Sequence, residues 1–131
     1  NQKVQTYIPD RQKEGYGPNR IVFDQFLKLG IKTVITVDCG ATAKKEIDYA
    51  NNLGIQVIVI DHHKIDEELP DSIAHINPSR KEDFSKLEDL AAIGLTFLFI
   101  VALRRALREE KKYINVQEPN LKNYLDLHEC G

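Results

Sequence analysis

The sequence has 131 residues, of which 42% are hydrophobic and 29% charged, with a formal net charge of −2. That is enough chain for one domain with its own core. A charge so close to zero excludes a globally basic nucleic-acid-binding surface, but a local patch or a metal site could still hold phosphate.

The polar start Asn1–Gln5 carries no signal-peptide pattern. Val4–Ile8 reads as a short strand ended by Pro9, and Asp10–Gly17 as a polar loop with two glycines. Pro18-Asn19 signals a helix start, with Asn19 as the cap. Val22, Phe26 and Leu29 then recur at helical spacing until Gly30. Ile31–Val37 is a predicted strand running into Asp38-Cys39-Gly40. A second helix follows, with Ala43, Ile47, Ala50 and Leu53 on one face and Gly54 after it. Ile55–Ile60 is rich in Val and Ile, as expected of a strand buried on both faces, and it ends on Asp61-His62-His63. Beyond a proline-bounded acidic loop, Ser72–Ile76 is a weak strand closed by Asn77-Pro78. Leu90–Leu107 is a helix, apolar nearly all round in its first half, which predicts burial. Its apolar part is too short to span a bilayer. Glu109–Glu118 reads as a surface linker, and Pro119-Asn120 opens a last short helix through Leu127. Cys39 and Cys130 lie too far apart for a secreted disulfide framework, so a reducing cytoplasm is expected.

The helix–glycine–strand–aspartate order of Leu29–Asp38 recurs in Leu53–Asp61. Two such units in succession predict an α/β fold, a mainly parallel sheet with flanking helices. Parallel neighbours lie about 4.8 Å apart. If these two strands are adjacent, Asp38 meets Asp61-His62-His63 at the carboxyl edge, where open α/β sheets bind ligands. A carboxylate with imidazoles suits a first-row divalent ion. One histidine could be oriented by Asp61, and the other could donate to an anionic oxygen. Asp38 has a competing reading as a helix cap, and the triplet has one as a surface turn. Cys39 reads as a small residue beside a tight glycine turn rather than a reactive thiol. Arg11, just before Gly15 and Gly17, is either a phosphate contact or an ordinary surface arginine. His75 reads as a strand residue without a role, and Arg104, Arg105 and Arg108 as a solvated face among glutamates. His128-Glu129 lacks the second histidine of a zincin motif. Asp38 and His62 alone cannot fill a two-metal site, which needs further carboxylates.

Asp61-His62-His63 resembles the signature of the DHH phosphoesterases, and Val37-Asp38-Cys39-Gly40 resembles that superfamily's preceding metal motif. Within it, Tyr7-Ile8-Pro9-Asp10-Arg11 with Glu14-Gly15-Tyr16-Gly17 is similar to the RecJ-like single-strand-specific DNA exonucleases. So are Asn77-Pro78, Ala92–Phe97 and Leu125-Asp126-Leu127, in order along the whole chain. The resemblance implies a 5′-to-3′ exonuclease on single-stranded DNA that depends on Mn²⁺ or Mg²⁺ and serves recombination and repair. It also implies single-strand-binding protein and a helicase as partners, and no membrane. It makes Asp38 the metal-bridging carboxylate, His62 a metal ligand, His63 the group facing the scissile phosphate and Asp61 the support of the triplet, with Arg11 near the substrate channel.

The same resemblance leads us to expect residues 1–131 to be a partial DHH domain. The family's first aspartate-rich motif would precede Asn1, its last metal aspartate would follow Asp126, and a smaller C-terminal domain would lie further on. Alone, such a piece is expected to be weakly active or inactive. The competing readings are an oligonucleotide or cyclic-dinucleotide phosphodiesterase of the same superfamily, a non-catalytic scaffold of that fold, and a nucleotide-binding α/β domain. The last would need a glycine-rich phosphate loop after a strand, which the chain lacks.

Overall fold

The computed structural model describes residues 4–65, 68–114 and 116–124. Residues 4–9 form no strand, contrary to expectation, and Val4 and Ile8 are 90% and 85% exposed. A strand needs a neighbour for its backbone groups, and these residues pair with none in the described sheet. The expected polar loop instead contains one helical turn, α1 (Arg11–Glu14). Asp10 caps it by accepting from the Gln12 amide at 3.0 Å, and Glu14 accepts from the Asp10 amide at 3.1 Å. This reciprocal pair works like a capping box. Glu14 also accepts from the Tyr7 hydroxyl and the Asn19 amide group, which folds the segment around one carboxylate.

Asn19 does cap α2 (Arg20–Lys28), accepting from the Val22 amide at 3.0 Å. The buried stripe is Val22, Phe23 and Phe26, the last only partly covered. Leu29 is not part of it: it follows the last helical residue and lies exposed. β1 (Thr33–Val37), α3 (Lys44–Asn52) and β2 (Gln56–Ile60) come next, then the short β3 (Ala74–Ile76). The three strands form one parallel sheet in the order β1-β2-β3. Val57 and Val59 of β2 join Ile55, Ile47 and Ala50 of the α3 unit and Phe23 of α2 in one core. Each fully buried Val, Ile or Phe there stabilises the fold by about 1.5–3 kcal/mol.

The opposite sheet face carries Ile35 and Val37 of β1, 49% and 46% exposed. α4 (Ala92–Glu109) lies against β1 and β2. The burial expected of it is confined to Ala92, Gly94 and Leu95. Ile93, Leu98, Ile100, Val101 and Leu103 are exposed, because one contact with a three-stranded sheet covers one stripe of a helix that is apolar on several. Among the described residues no helix is long and apolar enough to cross a membrane. The basic end of α4 is not merely solvated. Arg104 and Arg108 both pair with Glu118, at 2.6 and 2.5 Å, so the expected surface linker is tied back at its far end. The final helix appears as a 3-10 turn over Leu121–Tyr124, and its expected continuation to Leu127 lies outside the described residues, as do Asp126, His128 and Cys130.

Candidate metal centre at the carboxyl edge of the sheet

Val37 pairs with Ile60, so Asp38 and Asp61 each stand one residue past the last rung of the β1–β2 ladder. The Asp38 amide donates to the Ile60 carbonyl at 2.9 Å, and the Asp61 amide to the Ile76 carbonyl at 3.0 Å. Asp38 has φ +60°, a left-handed conformation that aspartate tolerates better than most residues. The turn then needs Gly40, at φ +104°, where a Cβ would come within 2.8 Å of Thr36 Oγ1. The capping alternative for Asp38 does not hold. α3 starts at Lys44 with Ala43 at its cap, and no side chain bonds there. Instead, Asp38 Oδ1 lies 3.2 Å from His62 Nε2.

Asp61 is the knot of the site. Its side chain is buried, yet both carboxylate oxygens have partners. Oδ2 accepts from the Ala41 amide at 2.9 Å. Oδ1 accepts from the His62 and His63 amides at 2.8 and 3.3 Å and lies 2.6 Å from His63 Nδ1. Burial alone would raise the Asp61 pKa. The His63 bond and the three backbone amides outweigh it, so the carboxyl titrates below its usual range and is ionised at neutral pH. A carboxylate can only accept, so His63 Nδ1 is the donor in this pair.

Asn77, read from sequence as closing the weak strand and as part of the resemblance, and Ser79 just after it strap the triplet from behind. Asn77 is buried and donates to the His63 carbonyl at 2.9 Å. The Ser79 hydroxyl donates to the His62 carbonyl at 3.2 Å.

Asp38, His62 and His63 bring three donor atoms within 4.8 Å of one another. One carboxylate oxygen and two imidazole nitrogens, with a carboxylate behind one imidazole, fit a divalent metal ion of the first transition row. An open cleft beside them is lined by Val37, Asp38, His62 and the first turn of α4 at Ala91–Ile93 and Thr96. No side chain caps that helix end, so its free amides border the cleft.

Tyr16 is the residue that sequence reasoning passed over. Its hydroxyl donates to the Asp38 carbonyl and lies 3.3 and 3.4 Å from the two ring nitrogens of His63. Burial, and then the negative charge of Asp61 and Asp38, push its pKa up to about 12, so the phenol keeps its proton. Arg11 stacks its guanidinium 5.4 Å from the centre of the Tyr16 ring, which brings it near the site rather than leaving it on a remote surface. An aromatic in a polar loop has no periodicity to mark it; only the pairing with Glu14-Gly15 in the motif gave a signal. Cys39 is half-buried. Burial, then Asp61 and Asp38, push its thiol up to about 11, which fits the unreactive reading. His75 lies in β3, away from the donor cluster.

The DHH family, N-terminal domain, matches residues 1–131. The single-stranded-DNA-specific exonuclease RecJ of Bacillus subtilis is 41% identical over 82% of the chain, which covers 14% of that protein. RecJ of Salmonella typhimurium is 37% identical over 95% of the chain, which covers 22% of its length. A crystal structure of exonuclease RecJ bound to manganese superposes with a TM-score of 0.66 at 31% identity, over 77% of this chain and 25% of that one. The chain thus spans 14% to 23% of the length of the curated relatives it matches. Since the family model matches this chain from its first residue to its last, the chain belongs to the DHH family.

Proposed function

We propose that the chain is a partial DHH domain of a RecJ-like exonuclease, which hydrolyses phosphodiester bonds of single-stranded DNA in the 5′-to-3′ direction. The observation that carries this reading is the Asp38–His62–His63 donor cluster with Asp61 behind it. Its likeness to proteins named single-stranded-DNA-specific exonuclease supplies the substrate class. The imidazole content favours Mn²⁺ over Mg²⁺, which prefers oxygen donors. A role in recombination and repair, a cytoplasmic location, and single-strand-binding protein and a helicase as partners belong to the same reading.

In this reading Asp38 and His62 hold the metal, which supplies Lewis-acid stabilisation of the phosphoryl oxygens and a more acidic water. Asp38 faces the cleft from one strand end and His62 from the next, so both are fixed by the β1–β2 register. Asp61 keeps the Nδ1 proton on His63 and turns its ring toward the scissile phosphate. Arg11 meets a substrate phosphate at the rim. Asp38 and His62 alone do not complete two coordination spheres. The remaining carboxylates belong to flanking parts of a longer protein, and this chain alone is weakly active or inactive.

Asp38→Ala in the full-length parent tests the proposal. We expect loss of Mn²⁺-dependent digestion of long single strands, with the circular dichroism spectrum unchanged. Retained digestion would remove Asp38 from the mechanism. Faster hydrolysis of dinucleotides than of long strands would instead assign the parent to the oligonucleotide phosphodiesterases.

A further inference from the structure

We infer that Tyr16 is a positioning residue that sets the spacing between the two halves of the metal site. This rests on Asp38, His62 and His63 forming that site. The two halves come from different strand ends. Asp61 links the triplet to the β1–α3 turn through Ala41, but nothing in that link acts on Asp38 directly. Asp38 Oδ1 meets His62 Nε2 and the Asp38 amide bonds Ile60 across the strand ends; Tyr16 supplies a further link, from outside the sheet. Its hydroxyl donates to the carbonyl of Asp38, the residue held at φ +60°, and its oxygen lies beside the His63 ring. The two rings meet edge to face with centroids 5.6 Å apart, which is a favourable aromatic geometry. One side chain therefore restrains the backbone that aims the Asp38 carboxylate and the ring that Asp61 orients from the other side.

The loop bearing Tyr16 is built to hold it still. Glu14 gathers Tyr7, Asp10 and Asn19 around α1, and Asn19 also caps α2. Gly15 and Gly17 flank Tyr16 at φ +82° and +85°, a path that other residues rarely follow. Arg11 lies against the Tyr16 ring, so a phosphate held by Arg11 would be registered to the metal donors through that ring.

Tyr16→Phe keeps the ring, its packing and the Arg11 contact, and removes only the hydroxyl. Two readouts on the 131-residue chain test it, with Asp38→Asn as the control. The first is Mn²⁺ affinity, from electron paramagnetic resonance of the free ion. The second is the ¹⁵N shifts of the His63 ring in the metal-free chain. We expect Tyr16→Phe to weaken Mn²⁺ binding about tenfold, the lower end for groups that orient metal ligands, and to move the His63 ring resonances while the far-ultraviolet spectrum stays unchanged. Unchanged His63 resonances would overturn the inference, as would wild-type Mn²⁺ affinity in Tyr16→Phe when Asp38→Asn has lost binding. Equal Mn²⁺ binding by wild type and Asp38→Asn would overturn the metal site itself; moved His63 resonances in Tyr16→Phe would then still support the Tyr16 clamp.

Discussion

The two faces of β1 and β2 end in different ways. At the carboxyl edge, nearly every polar atom of the Asp38 and Asp61–His63 segments is paired: Asp61 with three amides and a ring nitrogen, His62 and His63 with Ser79 and Asn77, and Asp38 with Tyr16. On the flank, α4 and β1 present Ile35, Val37, Leu98, Val101 and Leu103 to solvent. Directional bonds within a few residues of one another give the edge a fixed geometry. The flank is held only by non-directional contact with whatever lies against it. The difference teaches that precision in this domain is concentrated where chemistry is proposed.

Substitutions can break or sharpen that contrast. The largest stability effect should come from Asp61→Ala, which leaves the Ala41, His62 and His63 donors without their acceptor. We expect a loss of about 3 kcal/mol in urea unfolding. Asp38→Asn keeps the left-handed turn but removes a charged donor. It should lower Mn²⁺ affinity about 100-fold in calorimetry while leaving the unfolding midpoint unchanged. Gly40→Ala forces a Cβ onto Thr36 Oγ1 at a positive φ and should cost about 1–3 kcal/mol.

Acid provides a smaller test of the same edge. The Asp61 pKa is depressed in the folded chain, so its contribution to stability is fully present above the unfolded value, about 3.9. That contribution is lost as pH falls through the folded value. The difference in unfolding free energy between wild type and Asp61→Asn should therefore shrink as pH falls below about 4. On the flank, Leu98→Ser and Val101→Ser should change stability of this chain by no more than about 0.5 kcal/mol. A larger loss in either would show that the flank is as constrained as the edge.

The part of the fold that could be read from sequence is the part with local signals. The Leu29–Asp38 and Leu53–Asp61 echo predicted two successive strands of a parallel sheet and left their adjacency open; Val37 does pair with Ile60. Asn19 as a cap was legible for the same reason: its chemistry is spent within three residues. Val4–Ile8 failed as a strand because strand formation depends on a partner that local pattern does not reveal. Burial of α4 was overestimated because hydropathy records what a helix could bury, not what is there to cover it. In the site, Asp38 and the triplet could be placed together from topology. The choice of His63 as the imidazole Asp61 orients could not, since both histidines follow it directly and only the turn geometry selects one. Tyr16 lay beyond reach because its role depends on a contact with Asp38 across a fold that brings together residues distant in sequence.

The β1–β2 register has a consequence for how this domain can change length. Asp38 and Asp61 face one another only because Thr33 pairs with Gln56 and every rung follows to Val37 and Ile60. A residue gained or lost inside either strand would turn its side chains to the opposite face and move one half of the donor set by about 3.3 Å. The same change in the largely exposed stretch Lys81–Glu88 between β3 and α4 can be absorbed as a loop of different length, leaving the rungs in place. Tolerance to insertion should therefore differ along the chain, high in that stretch and near zero in two five-residue windows.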